Sequence, residues 1–196
     1  MIPFADYKKA TNAAYKIIAE RDIFSLATNV FAILDQLETC RVYTYGQVNY
    51  LYGTPLDTLL SASEYGFSIQ ESGQRIIYYN EKMPLNCIRF TLAHELGHAV
   101  LGHQDEDDPI AEREANCFAR NLLCPIPIVN ALELSTPHEY VSVFNVSNDM
   151  ARVARDHYRS DVYYIDPSYT EIINDRIYAS NLGYDSWSEF EQLLRA

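Results

Sequence analysis

Two histidines and a glutamate lie inside an otherwise apolar run, RFTLAHELGHAVLGH, at residues 89–103. His94 and His98 are four residues apart, so on a helix they lie about 40° apart around the axis and one turn along it. Two imidazole nitrogens at that separation can both reach one Zn2+ ion at about 2.0–2.1 Å. Glu95 would then lie beside the metal, where its carboxylate can take a proton from a water molecule. The spacing is therefore typical of a hydrolytic zinc site.

A catalytic zinc ion needs a third protein ligand and one open position. The segment AEREANCFARNLL, residues 111–123, offers Glu112 and Glu114. On a helix, its small and apolar residues form one stripe that we expect to pack against the first helix: Ala111, Ala115, Phe118, Ala119 and Leu122. Because Glu112 lies nearer the centre of that stripe, we favour Glu112 as the ligand, with Glu114 as the alternative. Asn116 is placed to hydrogen-bond the other ring nitrogen of a metal-bound histidine.

A different third ligand would be His103. The extended signature HExxHxxGxxH places a glycine three residues, and a histidine six residues, past its second histidine. Here Gly102 and His103 lie four and five residues past His98, so both are displaced by one position. We therefore interpret Gly102 as the end of the helix and His103 as a cap or rim residue.

The hydrophobic pattern predicts the elements that must position these residues. Helical spacing over residues 4–37 predicts two helices, and it returns over 84–100 and 109–123. Three segments rich in β-branched and aromatic residues predict short strands, with ESGQ as a hairpin turn between the last two: CRVYTYGQV, YGFSIQ and QRIIYYN. Further helices are expected at about 126–133, 138–144 and 147–158, followed by a loop and a closing helix that begins at Asp185 or Ser186. Helices and strands in separate runs indicate an α+β fold.

Charge and composition restrict the partners. The 196-residue chain has a formal net charge of −12, which repels nucleic-acid phosphates and anionic membranes. No stretch approaches the roughly 18–20 apolar residues that span a bilayer, and no secretory signal is visible, so we expect a cytoplasmic protein without membrane contact. The four cysteines are scattered without a CxxC pair, which favours buried thiols: Cys40, Cys87, Cys117 and Cys124.

The segment VSVFNVSNDMARVAR, residues 141–155, has the pattern of a helix-turn-helix with Asn145 at the tight turn. Its second helix would carry Arg152 and Arg155, but also Asp149 and Asp156. This balance gives little attraction for DNA, so direct nucleic-acid binding is not expected.

Three blocks of the sequence, in order, resemble the motifs of the ImmA/IrrE metallopeptidases of bacteria, phages and integrative elements: IIYYN, RFTLAHELGHAVLGH and EREANCFARNLLCP. A cysteine stands where the last block of that family usually has methionine before proline. The resemblance implies His94, His98 and Glu112 as zinc ligands and Glu95 as the catalytic acid/base. It also implies an endopeptidase that cuts a helix-turn-helix repressor of a mobile element, phage or stress regulon.

Together these observations predict two units. Residues 1–125 are expected to form a mainly helical, zincin-like metallopeptidase core with a small β-sheet, and residues 126–196 a helical unit packed on it. The leading hypothesis is a zinc endopeptidase acting on a protein partner, which approaches through an edge strand formed by RIIYYN. The alternatives are an antirepressor that sequesters the repressor without cleavage, and a DNA-binding regulator that uses residues 141–155. The intact Glu95 argues against the first and the charge balance against the second.

Overall fold

The computed structural model describes residues 4–21, 26–104 and 108–181, together with residues 183 and 192. In these segments the chain is α+β, mostly helical with one small sheet. The helices are α1 (Tyr7–Glu20), α2 (Val30–Asp35), α3 (Tyr45–Tyr52), α4 (Leu56–Ala62), α5 (Leu85–Leu101), α6 (Pro109–Leu123), α7 (Ile126–Ala131), α8 (Pro137–Phe144), α9 (Asn148–Asp161) and α10 (Pro167–Asn181). The strands are β1 (Cys40–Thr44), β2 (Gly66–Glu71) and β3 (Gln74–Tyr79).

The three strands are ordered β1-β3-β2, so β3 is the central strand. β2 and β3 form the expected antiparallel hairpin, and their turn contains Ser72 and Gly73, both with positive φ, as a tight hairpin turn requires. Helices α3 and α4 connect the end of β1 to the start of β2, β2 runs antiparallel to β3, and β3 therefore runs parallel to β1 between the two other strands. The expectation that RIIYYN forms an edge strand is therefore wrong, and β2 is the edge strand that lies against α5.

Helix α5 is the central helix and is buried around most of its circumference. It packs most extensively against α6, and also against the sheet, α1 and α2. Its fully buried residues Leu92, Ala93 and Leu96 belong to one hydrophobic core. A helix that is apolar on nearly all sides requires neighbours on all sides, and this explains why His94, Glu95 and His98 lie inside an apolar run.

Most predicted helices are confirmed, whereas α3, α4 and α10 were not expected from the sequence. The strand predicted from CRVYTYGQV ends at Thr44, because Thr44 and Gln47 form a capping box that starts α3 at Tyr45. A helix, α10, stands where we expected a loop, and the buried guanidinium of Arg176 on α10 donates to the carbonyls of Ile18 and Ala19 at the end of α1. The helix start expected at Asp185 or Ser186 lies outside the described residues.

Helices α8 and α9 have the predicted helix-turn-helix arrangement, with Asn145 in the left-handed conformation at φ 51° and ψ 49°. Their inward residues, among them Phe144 and Ala151, are part of the same hydrophobic core as α5. Two of the three arginines of α9 lie near an acidic neighbour: Arg152 near Asp149 at 3.8 Å, and Arg155 with Asp156 at 2.5 Å. These pairs leave α9 little net positive charge. Within the described residues, no helix has both the length and the apolar character of a membrane span.

Candidate metal centre

The local sequence of α5 determines where the histidines lie. The helix begins after Pro84 and ends at Gly102, which adopts the left-handed conformation at φ 75°. The prediction that Gly102 ends the helix is thus confirmed. His94 and His98 project from the face of α5 that packs toward α6, and their ring centroids are 4.7 Å apart. His98 is almost fully buried, with 1% of its surface exposed.

Helix α6 brings Glu112 to the two histidines. The side chain of Asp108 caps the helix by accepting from the backbone N–H of Ile110, and Pro109 occupies the first turn. Helices α5 and α6 approach closely where Gly97 faces Ala115 and Phe118. The expected apolar stripe of α6 is buried there, so its first turn, with Glu112, lies over the histidine face of α5.

Three donor atoms converge. The Nε2 atoms of His94 and His98 are 3.0 Å apart. Glu112 Oε1 is 3.1 Å from Nε2 of His98 and 3.4 Å from Nε2 of His94. A tetrahedral ion with bonds of about 2.0–2.1 Å keeps its ligand atoms about 3.3–3.4 Å apart. The observed separations agree with that geometry to within a few tenths of an ångström, so the three residues can hold one metal ion.

The protonation states also suit a metal. Burial, reinforced by the nearby His94, lowers the pKa of His98 to about 4, so its imidazole is neutral at neutral pH. The hydrogen bond with His94 lowers the pKa of Glu112, which keeps it a carboxylate. Burial opposes a charge on His94, but its hydrogen bond with Glu112 and the charge of Glu95 outweigh burial and raise its pKa. A cation would replace the proton that these carboxylates attract to His94.

The side chain of Asn116 lies where the sequence predicted it. Its Oδ1 is 3.2 Å from Nδ1 of His94. An amide oxygen can only accept, so Nδ1 of His94 donates to it, which leaves Nε2 as the ring nitrogen that faces Glu112 and His98 and can bind a metal in place of its proton.

Glu95 lies on the side of α5 that faces the sheet and is 5% exposed. Its Oε2 accepts a 2.6 Å hydrogen bond from the hydroxyl of Ser68 on edge strand β2. Ser68 in turn accepts from Nη1 of Arg75 on β3 at 2.9 Å. Ser68 and Arg75 were not predicted from the sequence, because no local motif indicates a contact across 27 residues between a strand and a helix. The one sequence feature that indicates this contact is the glycine two residues before Ser68. Gly66 and Ser68 share a face of β2, and a Cβ on Gly66 would collide with Thr91 of α5, so this face lies close to the helix.

The two weaker ligand candidates lie outside the converging group. Glu114 is directed toward α1, where its Oε1 accepts from the backbone N–H of Asp6 at 2.7 Å. His103 is not the rim residue we expected, since only 10% of its side chain is exposed. Its backbone N–H does cap α5 by donating to the carbonyl of His98, and this turn directs its ring back against the His98 ring.

An α+β fold in which one helix supplies HExxH and the next supplies a converging glutamate defines the class of HExxH metallopeptidases. Residues 58–154 match the family model Peptidase_M78, described as the IrrE N-terminal-like domain. The chain therefore belongs to the ImmA/IrrE family of metallopeptidases, and membership implies a bound metal ion. Comparison with curated proteins and with solved structures found no match.

Proposed function

We propose that this protein is a zinc-dependent endopeptidase in which His94, His98 and Glu112 are the metal ligands and Glu95 is the catalytic acid/base. The convergence of the three donor atoms within 4.8 Å of one another is the observation that carries the proposal. Two imidazoles and one carboxylate form a ligand set found in catalytic zinc sites, and zinc accepts the tetrahedral geometry that the donor distances fit.

A zinc ion at this position would polarise the scissile carbonyl and lower the pKa of the attacking water. Glu95 would take the proton of that water and transfer it to the leaving amine. The hydroxyl of Ser68 donates to Oε2 of Glu95 and so helps to orient the carboxylate that would take the proton. Since Ser68 lies on the edge strand, a substrate paired with β2 would pass close to Glu95.

The proposed route for the substrate is strand addition to β2, instead of the RIIYYN strand that the sequence suggested. Among the described strands β2 pairs with β3 alone, and it contacts the helix that carries Glu95. An extended segment of a partner that pairs with the outer edge of β2 would pass this helix and bring a peptide bond toward the metal site. A compact helix could not pair in this way, so cleavage is expected in a linker or a locally unfolded segment.

The proposed partner is a DNA-binding repressor of the helix-turn-helix type. The family membership supports a protein substrate, and the net charge of −12 favours a basic partner over an acidic one. DNA-binding proteins carry basic surfaces, so the charges of the two proteins are complementary.

The test is incubation of the purified protein with the repressor encoded beside it, with and without a chelator, followed by mass spectrometry. We expect one or a few cuts that the chelator abolishes, with casein left largely intact. Glu95→Gln keeps the shape of the side chain and removes the base, so turnover should fall about 10²–10⁴-fold while zinc content stays the same.

Three other outcomes of this experiment would each contradict a different part of the proposed function. Normal cleavage by Glu95→Gln would refute the role of Glu95 as acid/base. Unselective degradation of casein would refute a regulatory protease. An intact repressor that nevertheless leaves its DNA when this protein is added would support sequestration without cleavage.

A further inference from the structure

A line of hydrogen bonds, formed by His98, His103 and Glu114, begins at the ring nitrogen of His98 that does not face the other two proposed ligands. Nδ1 of His98 is 3.1 Å from Nδ1 of His103. Nε2 of His103 is 3.1 Å from Oε2 of Glu114, whose other oxygen accepts from the backbone N–H of Asp6. The side chains of His103 and Glu114 are each only 10% exposed. The line therefore runs through the interior from the metal centre to the first turn of α1.

The chemistry of these groups fixes the direction of each hydrogen bond. A carboxylate can only accept, so Nε2 of His103 donates to Glu114. The other nitrogen of a neutral His103 must then accept, so Nδ1 of His98 donates to it. A neutral His98 with its proton on Nδ1 has a lone pair on Nε2, which can accept from Nε2–H of His94 in the metal-free protein and bind a metal when one is present.

We propose that His103 and Glu114 are positioning residues that fix the tautomer and ring orientation of His98 for metal binding. The inference rests on the metal site of the proposed function. His103 acts on His98 as Asn116 acts on His94, so each ligand histidine has a partner on its non-ligating nitrogen. Glu114, the ligand alternative of the sequence analysis, thus serves the site through His103 and not by direct contact.

The fold explains why these residues meet. The left-handed turn at Gly102 reverses the chain directly after α5, which brings the His103 ring back over His98. Glu112 and Glu114 are two positions apart on α6, about 200° around the helix axis, so they face different neighbours. Glu112 faces α5, whereas Glu114 lies where α6 packs on α1.

The experiment measures zinc affinity of the full chain by competition with a fluorescent chelator, a readout that does not need peptidase activity. His103→Ala and Glu114→Ala should each weaken zinc binding about 10–100-fold, the usual effect of removing the partner of a ligand histidine. Glu114→Gln keeps an acceptor oxygen for His103 and should fall between Glu114→Ala and the wild type. The matched controls, His157→Ala and Glu171→Ala, alter exposed residues on α9 and α10 and should bind zinc as the wild type does.

A second measurement reads the tautomer directly. Nitrogen NMR of the histidine rings in the metal-free protein should show the proton of His98 on Nδ1 in the wild type, and a mixture of tautomers in His103→Ala. If an alanine variant does not fold, the folded Glu114→Gln variant decides by the same two readouts.

The outcomes separate this inference from the proposed function. A wild-type protein that binds no zinc would refute the metal site of the proposed function. A wild type that binds zinc, together with folded variants that bind it equally well and keep the tautomer of His98, would refute the positioning role alone.

Discussion

Replacing Gly97 by alanine tests whether the close approach of α5 and α6 assembles the metal centre. A Cβ atom at this position would lie 3.1 Å from Cδ1 of Phe118, 3.2 Å from Cα of Ala115 and 3.3 Å from the Ala115 carbonyl oxygen. Ordinary contacts of a methyl group start at about 3.4 Å and extend to about 4.0 Å. Two of the three neighbours are backbone atoms that cannot rotate away, so the helices must separate by a few tenths of an ångström.

The expected change in the free energy of unfolding of Gly97→Ala is the sum of two opposing contributions. An additional methyl group in a well-packed core costs about 1–3 kcal/mol, whereas Gly→Ala inside a helix gains about 1 kcal/mol. The free energy of unfolding of the metal-free protein should therefore fall by about 1 kcal/mol. Zinc affinity should fall more clearly, on the order of tenfold, because His94 and His98 lie on one helix and Glu112 on the other.

Urea denaturation measures the stability change, and chelator competition measures the zinc affinity. Val100→Ala is the control, since Val100 is 37% exposed on the outer side of α5 and should change either quantity little. If Gly97→Ala is instead stabilised by the full helix-propensity gain and keeps its zinc affinity, then the contact at Gly97 does not determine the ligand geometry.

Two further substitutions test the support of the site and of the fold. Ser68→Ala removes the hydrogen bond to Glu95. Because such a charge-assisted bond contributes about 1.5–3 kcal/mol, kcat should fall about 10–100-fold while KM and the zinc content stay unchanged. An unchanged kcat would contradict the role of Ser68 in positioning Glu95. Asp161→Ala leaves the buried guanidinium of Arg120 without its carboxylate and should cost about 3–5 kcal/mol in urea denaturation. Asp156→Ala, which breaks an exposed pair, should cost less than about 1 kcal/mol, and equal losses for the two variants would refute the importance of burial.

The sequence predicted the parts of the site that depend on helical spacing. His94 and His98 share a face because they are four residues apart, and Asn116 meets His94 because α5 and α6 pack through small residues. The choice of Glu112 over Glu114 followed from the apolar stripe, and the structure brings Glu112 to the histidines. These relations involve neighbouring residues on a helix or consecutive helices, so local periodicity contains the information.

Relations that depend on tertiary topology could not be predicted in this way. RIIYYN was expected at the edge of the sheet, but its composition is equally suited to an edge or a central position and cannot distinguish the two. Its central position follows from the crossover between β1 and β2, which no local pattern records. In the same way, α10 depends on Arg176 donating to carbonyls of α1, more than 150 residues away in sequence.

The topology also gives the edge strand a second role. Ser68 lies on β2, the strand we propose for substrate pairing, and its hydroxyl contacts the proposed base Glu95. Arg75 on the central strand donates to Ser68 and also to the backbone carbonyl of His103, beside the line that supports His98. One buried cation thus contacts both the support of the base and the support of a metal ligand. A displacement of β2 by a paired substrate would act on Glu95 directly through Ser68, whereas His98 is held by His103 from the turn after α5 and, through His103, by Glu114 on α6. We therefore expect a paired substrate to shift the proposed base Glu95 more than the proposed metal ligand His98.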